Sequence, residues 1–216
     1  IDSLREAALD TSTTRYRIRA YRLTAQDRIQ LDGRLDEAAW QQAEHQGRFT
    51  EKDPYPYIEP DEQTEFAVLY DANNLYIGVW CWESEPDKIV WQLQPRGNSS
   101  PDNLQIFIDT YHDHRTGYKF NVTPAGVQND ELRFDDVKRD ANWDGIWYSA
   151  GSRDQRGWYA ELKIPFFNMR FRDLEEHLWG FAMLRTIAKT ASRSNWVPHL
   201  PEWEMNTRMS RLGHLA

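Results

Sequence analysis

Ten Trp, ten Tyr and nine Phe are carried by a 216-residue chain whose mean hydropathy is only −0.81. Aromatic rings favour pleated, half-buried surfaces, and a ring left exposed is a platform on which the apolar face of a ligand can stack. Some of the ten Trp must form core, so the functional question is which do not. Trp203, in the polar stretch PEWEMN, reads either as such a platform or as a surface packing residue. His112 and His114 flank Asp113 in YHDHR. An H-x-H pair can ligate a transition metal, although in a hairpin turn the two also read as plain exposed polar residues. Lys and Arg total 26 against 34 Asp and Glu, a net charge of −8. That balance disfavours a nucleic-acid backbone, which is held by clustered cations, and leaves carboxylates for a hard cation such as calcium.

Catalysis has little to stand on. A glycosidase needs two carboxylates about 5–9 Å apart across the scissile bond, and nothing in the spacing of the acids singles out a pair. There is no nucleophile elbow, phosphate loop or H-E-x-x-H. A haem would need His or Met ligands; Met169, Met183, Met205 and Met209, with His177, His199 and His214, fall in no distinctive pattern, and Met183 in WGFAML reads as core. Cys81 is the single cysteine, which excludes an internal disulfide, and inside an apolar strand it reads as a small buried hydrophobe. No apolar run approaches the ~20 residues of a membrane span. The chain opens at Ile1 without a Met, in keeping with a processed or truncated chain.

The elements that must position these residues are short strands. Residues 1–15 form an N-terminal helical or linker segment, with Leu4, Ala7 and Ala8 on one face and a Ser/Thr-rich breaker after them. From Tyr16 the pattern alternates, Arg17 and Arg19 lying on the wet face. In LDGRLDEAAW, Asp32-Gly33 signals a turn and Asp36 is expected to cap a one-turn helix that buries Trp40 against a sheet. Thr64–Tyr70 and Leu75–Trp82 read as a hairpin about residues 71–74, with Asp and Asn supplying the turn. Tyr76, Gly78, Trp80 and Trp82 then share one face, and Leu75, Ile77, Val79 and Cys81 the other. NLQIFIDT, GYKFNVT, WYAELKI and WGFAML complete the strand set, with Ile106, Ile108, Phe181 and Leu184 expected in the core. The fold class is all-β: a two-sheet antiparallel β-sandwich over residues 16–216.

Several of these pieces, in this order, resemble the family 9 carbohydrate-binding modules: LDGRLDEAAW, the hairpin VLYDANNLYIGVW, DNLQIFIDTYHDHRTGYKFNVTPAGVQND, WYAELKIPF, WGFAML and the closing SRLGHL. The resemblance runs from about Ile29 to Leu215. The variant with FNVTPAGVQND and Trp143-Asp144-x-x-Trp147 is similar to modules at the N-terminus of bacterial proteins whose remainder is a predicted outer-membrane barrel.

The resemblance implies a non-catalytic module that binds a polysaccharide or glycan at the cell envelope, in the periplasm, on the outer membrane or secreted. Two Trp rings would sandwich a sugar while polar side chains hold its hydroxyls. One clamp ring falls near Ser99 and is absent; the other falls at Trp203 or, less closely aligned, Trp196. The family's polar grips fall at Gln105 and near Asn121, and Trp82 and Trp91 read either as replacements for the missing ring or as a core-facing residue and a loop cover respectively. The ligand-binding set is therefore Trp203, Trp82, Gln105, Asn121 and Trp196. Modules of this type also hold a structural calcium near strand ends, for which Asp102, Asp109 and Glu83 are the candidates, with Asp113 a further one. The alternative is a protein-interaction ectodomain docking on its own barrel, with a vestigial sugar site.

Overall fold

The computed structural model describes residues 15–198 and 207–216. The expected N-terminal helix and Trp203 lie outside them. Among the described residues the chain runs through β1 (Arg17–Ile18), β2 (Tyr21–Arg22), the one-turn helix α1 (Ala38–Gln42), β3 (His45–Gln46), β4 (Thr50–Asp53), β5 (Thr64–Tyr70), β6 (Asn74–Trp82), β7 (Asn103–Asp109) and β8 (Gly117–Val122). It continues through β9 (Gln128–Phe134), β10 (Lys138–Asp140), β11 (Tyr148–Asp154), β12 (Gly157–Pro165), β13 (Trp179–Ile187), β14 (Ser192–Asn195) and β15 (Gly213–Leu215). One sheet has the order β1-β15-β13-β7-β8-β9-β10, with β14 also paired to β13 and β4 paired to β14. The other has the order β11-β12-β6-β5-β2, with β3 beside β5. Pairing is antiparallel except for the two-residue contacts β1–β15 and β2–β5, which are parallel.

Alternation places the core. Leu75, Ile77, Val79 and Cys81 of β6 meet Leu104, Ile106 and Ile108 of β7 and Phe181 of β13 between the two sheets. Cys81 is fully buried there, and burial pushes its thiol pKa up to about 12, so it is inert packing. Leu184 is buried too, but on the far side of β13 from Phe181, because residues three apart in a strand face opposite ways. The hairpin turn is held as its residues predict: Asp71 Oδ1 accepts the Asn73 and Asn74 amides at 2.7 and 2.8 Å.

The outer face of the six-stranded sheet has its own cover. Trp40 of α1 is fully buried with Leu35, Ala39 and Ala43 over Tyr76, Trp80 and Tyr159. Gly78 makes room for it: a Cβ there would come within 2.8 Å of both Leu35 and Trp40. The helix begins later than expected, with Glu37 rather than Asp36 at its N-cap and no side-chain cap. The Glu37 carboxylate instead accepts the Gln30 amide at 2.8 Å.

Candidate functional site

On the outer face of the nine-stranded sheet, one row of directly opposed residues crosses six strands. It reads Asn129 (β9), Asn121 (β8), Gln105 (β7), Leu184 (β13), Asn195 (β14) and Thr50 (β4). Opposed residues share a face, and at about 4.8 Å per strand the row spans roughly 24 Å. Four of its six side chains are carboxamides, which offer donors and acceptors together.

Asn103, two residues before Gln105 and so on the same face, organises the centre. Its Oδ1 accepts both Gln105 Nε2 and Asn121 Nδ2, each at 3.2 Å, while its own Nδ2 is tied to the Ser100 carbonyl at 2.7 Å. With its nitrogen turned to Asn103, the half-buried Gln105 leaves its carbonyl oxygen to accept from a ligand. Asn121 Oδ1 and both amide atoms of Asn195 are buried with no partner. Leaving such an atom unfilled costs about 1–3 kcal/mol, and native sheets keep few of them. Gln105 and Asn129 are only half-buried and reachable.

One step along the strands, charge replaces amide. Lys119 opposes Phe107 and Glu131, and its ammonium lies 3.5 Å from the Glu131 carboxylate. Burial holds the Lys119 pKa below its ordinary value, partly offset by Glu131. Arg133 reaches Glu131 at 2.8 Å and lies 5.8 Å over the Phe107 ring. It also holds the Thr207 carbonyl at 3.3 Å.

A family model described as carbohydrate family 9 binding domain-like matches residues 31–202, most of the chain. The chain belongs to that family. Like the rest of it, this family 9 domain is a non-catalytic module. No curated protein matches it. Among solved structures it is similar to a family 9 carbohydrate-binding module from Caldicellulosiruptor kristjanssonii in complex with cellotriose, with 16% identity, 92% of each chain covered and a TM-score of 0.62. The complex of a family 9 module from that organism with glucose gives 16% identity, 92% of this chain, 94% of that chain and again 0.62. A candidate carbohydrate-binding protein from Bacteroides uniformis gives 13% identity, 92% and 97% coverage and a TM-score of 0.70. At these identities the likeness is one of fold.

The family 9 domain divides the expected ligand set. Gln105 and Asn121 stand side by side as described. Trp196 does not join them: it is 1% exposed, packed between Phe66, Phe181 and Tyr16, because alternation turns it inward one residue after Asn195. Trp82 lies on the outer face of the other sheet, with Trp80 and Tyr159, so it cannot share a ligand with Gln105. It edges a separate cleft of about 170 Å³ with His45, Gln46, Gly47, Gln63, Thr64 and Glu65. Arg156 lies 5.6 Å over its ring. Trp91 carries Arg153 4.9 Å over its ring. Trp143 and Trp147 of the W-D-x-x-W pattern pack on Phe120 at 6.0 and 5.3 Å, while Asp144 pairs with Arg96 at 2.8 Å, so that motif anchors a loop.

The calcium candidates do not fit one ion. Asp102 and Asp109 bracket β7, seven residues and on the order of 23 Å apart. Both Asp102 oxygens accept backbone amides, Val90 at 2.8 Å and Ala188 at 2.7 Å. Asp109 accepts the His114 amide at 2.8 Å, and burial raises its pKa. Glu83 is paired with Arg185 and Lys189. Asp113 closes its own turn on the Arg115 and Thr116 amides. His112 and His114 have their rings 4.6 Å apart, but among the described residues no three His, Cys, Asp or Glu side chains converge on a metal position.

The amide row went unread in the sequence beyond Gln105 and Asn121. Asn103, Asn129 and Asn195 lie in three separate strands, and only the pairing register brings them together.

Proposed function

We propose that this module binds a saccharide on the outer face of its nine-stranded sheet, with Gln105 and Asn129 holding hydroxyls, Asn103 orienting Gln105 and the buried Asn121 backing the row. The observation that carries this reading is the row of carboxamides with unfilled hydrogen-bonding capacity. A sugar hydroxyl both donates and accepts, and a carboxamide answers both roles. The cello-oligosaccharide and glucose complexes of the Caldicellulosiruptor modules support a neutral β-glucan or related glycan as the first ligand to try. Trp203 is the proposed stacking platform. An extracytoplasmic setting at the cell envelope, beside an outer-membrane barrel, accords with the resemblance of FNVTPAGVQND.

The test is a glycan array with an insoluble-polysaccharide pulldown, followed by Trp203→Ala. A stacked ring contributes about 1.4 kcal/mol, so Trp203→Ala is expected to weaken binding roughly tenfold. Unchanged affinity removes Trp203 from the site.

The second reading, docking on a protein, is favoured by a different surface. Phe167 and Ile146 are 74% and 59% exposed. They are held together by Asn168, whose side chain bonds the Ile146 amide and carbonyl at 2.8 and 2.6 Å. Failure of the folded protein to bind any glycan would move the function to that surface.

A further inference from the structure

Where β6 ends, three oxygens meet one buried ammonium. Lys189 Nζ is bonded to Glu62 Oε1, lies 2.9 Å from Glu83 Oε2 and reaches Ser84 Oγ at 3.0 Å. The Lys189 and Glu62 side chains are each 7% exposed and that of Glu83 is 2% exposed. Of its three N–H donors, two are hydrogen-bonded, to Glu62 and Ser84, and Glu83 Oε2 is held as an ion pair. The remaining charges are closed as well. Ser84 donates its amide to Glu62 Oε2 at 2.8 Å. The other Glu83 oxygen takes Arg185, which is fully buried and also holds the Gln63 and Trp82 carbonyls at 2.8 and 3.1 Å. Two carboxylates and two cations leave the cluster neutral. Asp102, at the same end of the sandwich, is filled by the amide of Ala188, the residue before Lys189.

Two carboxylates and a hydroxyl are the donors a hard divalent cation takes. Glu83, expected from the sequence to ligate calcium, instead meets a cation the chain supplies itself. Residues of β5's approach, β6's exit and β13's exit, more than 100 positions apart, are tied by it. We propose that Lys189 is the built-in cation of this fold, holding Glu62, Glu83 and Ser84 as an oxygen-ligated metal would, so that the module keeps its structure without calcium. Removing the ammonium leaves two buried carboxylates facing one position, which makes that position a divalent-cation site.

The test is thermal unfolding of the whole chain in chelator and in millimolar calcium, for wild type, Lys189→Met and Lys189→Gln. The wild-type midpoint is expected to be the same in both solutions. Breaking a buried pair costs enough that Lys189→Met should lose roughly 6–15 °C in chelator, and calcium should restore a large part of the loss. Lys189→Gln, which keeps a polar reach without the charge, is the milder variant. Either variant that is unfolded in chelator and folds when calcium is added supports the proposal as a rescued midpoint does. Adding Glu62→Gln should abolish the rescue. A wild-type midpoint that falls in chelator overturns the proposal, and so does calcium that leaves both Lys189 variants unchanged.

Discussion

Asn103 is the residue on which the candidate site turns. Its single carbonyl oxygen holds two neighbouring amides by their nitrogens, so it decides which Gln105 atom a ligand meets and how the buried Asn121 backs it. Asn103→Ala is expected to weaken saccharide binding about as much as losing both Gln105 and Asn121, although Asn103 need not touch the sugar. Each hydrogen bond is worth about 0.5–1.5 kcal/mol, so the loss should be roughly 5- to 100-fold, read by calorimetric titration of a variant verified as folded, whose melting midpoint falls as well because Asn103 is buried. On the opposite sheet, Trp82→Ala should leave that affinity within a factor of two; a large loss would place the ligand in the Trp82 cleft.

Glu161 is a second informative residue. It is fully buried on the outer face of the six-stranded sheet, and its carboxylate accepts the Asp32 and Gly33 amides at 3.1 and 3.2 Å. Burial raises its pKa from 4.5 to about 8, with Glu37 and Asp32 adding to the rise against the two backbone bonds. A carboxyl whose folded pKa lies above its unfolded value binds its proton better in the folded state. Its contribution to stability is therefore intact below pH 4.5 and is lost as pH climbs towards 8. Glu161→Gln keeps an acceptor without the charge. Its melting midpoint relative to wild type should rise steadily between pH 5 and pH 8; a difference that stays flat across that range would refute the assignment.

At the scale of elements, α1 depends on a missing side chain. Gly78→Val would drive methyl groups into Trp40 and Leu35, which a Cβ alone would already approach to 2.8 Å. Overpacking of this kind costs about 1–3 kcal/mol and should appear as a lowered midpoint with altered Trp fluorescence. Trp196→Ala should cost more, about 3–5 kcal/mol, because it empties the space between Phe66 and Phe181.

The β5–β6 hairpin was legible because Asp71, Asn73 and Asn74 make a local turn and the strands alternate cleanly. Trp40 under α1 was legible for the same local reasons, although the cap moved to Glu37. What local pattern cannot supply is the sheet a strand joins. β6 and β7 are consecutive, yet the loop between them crosses from one sheet to the other, which sends Trp82 and Gln105 to opposite outer faces. The Glu62–Lys189 pair, 127 residues apart, was invisible for the same reason.

For the whole molecule, the sandwich carries one outer face closed by α1 and one that presents amides and charge, a division of labour between its two sheets. The net charge of −8 does not gather at the amide row, where Glu131 is met by Lys119, Arg133 and Arg139. A family 9 domain with such a face is read most directly by titration. Cello-oligosaccharides and the best glycan from the array would be titrated into wild type and into the Gln105→Ala/Asn121→Ala double variant, both verified as folded. Saturable binding to wild type that falls at least tenfold in the double variant is the predicted result. Equal binding by the two proteins, or no saccharide bound by the folded wild type, would contradict the assignment of this face.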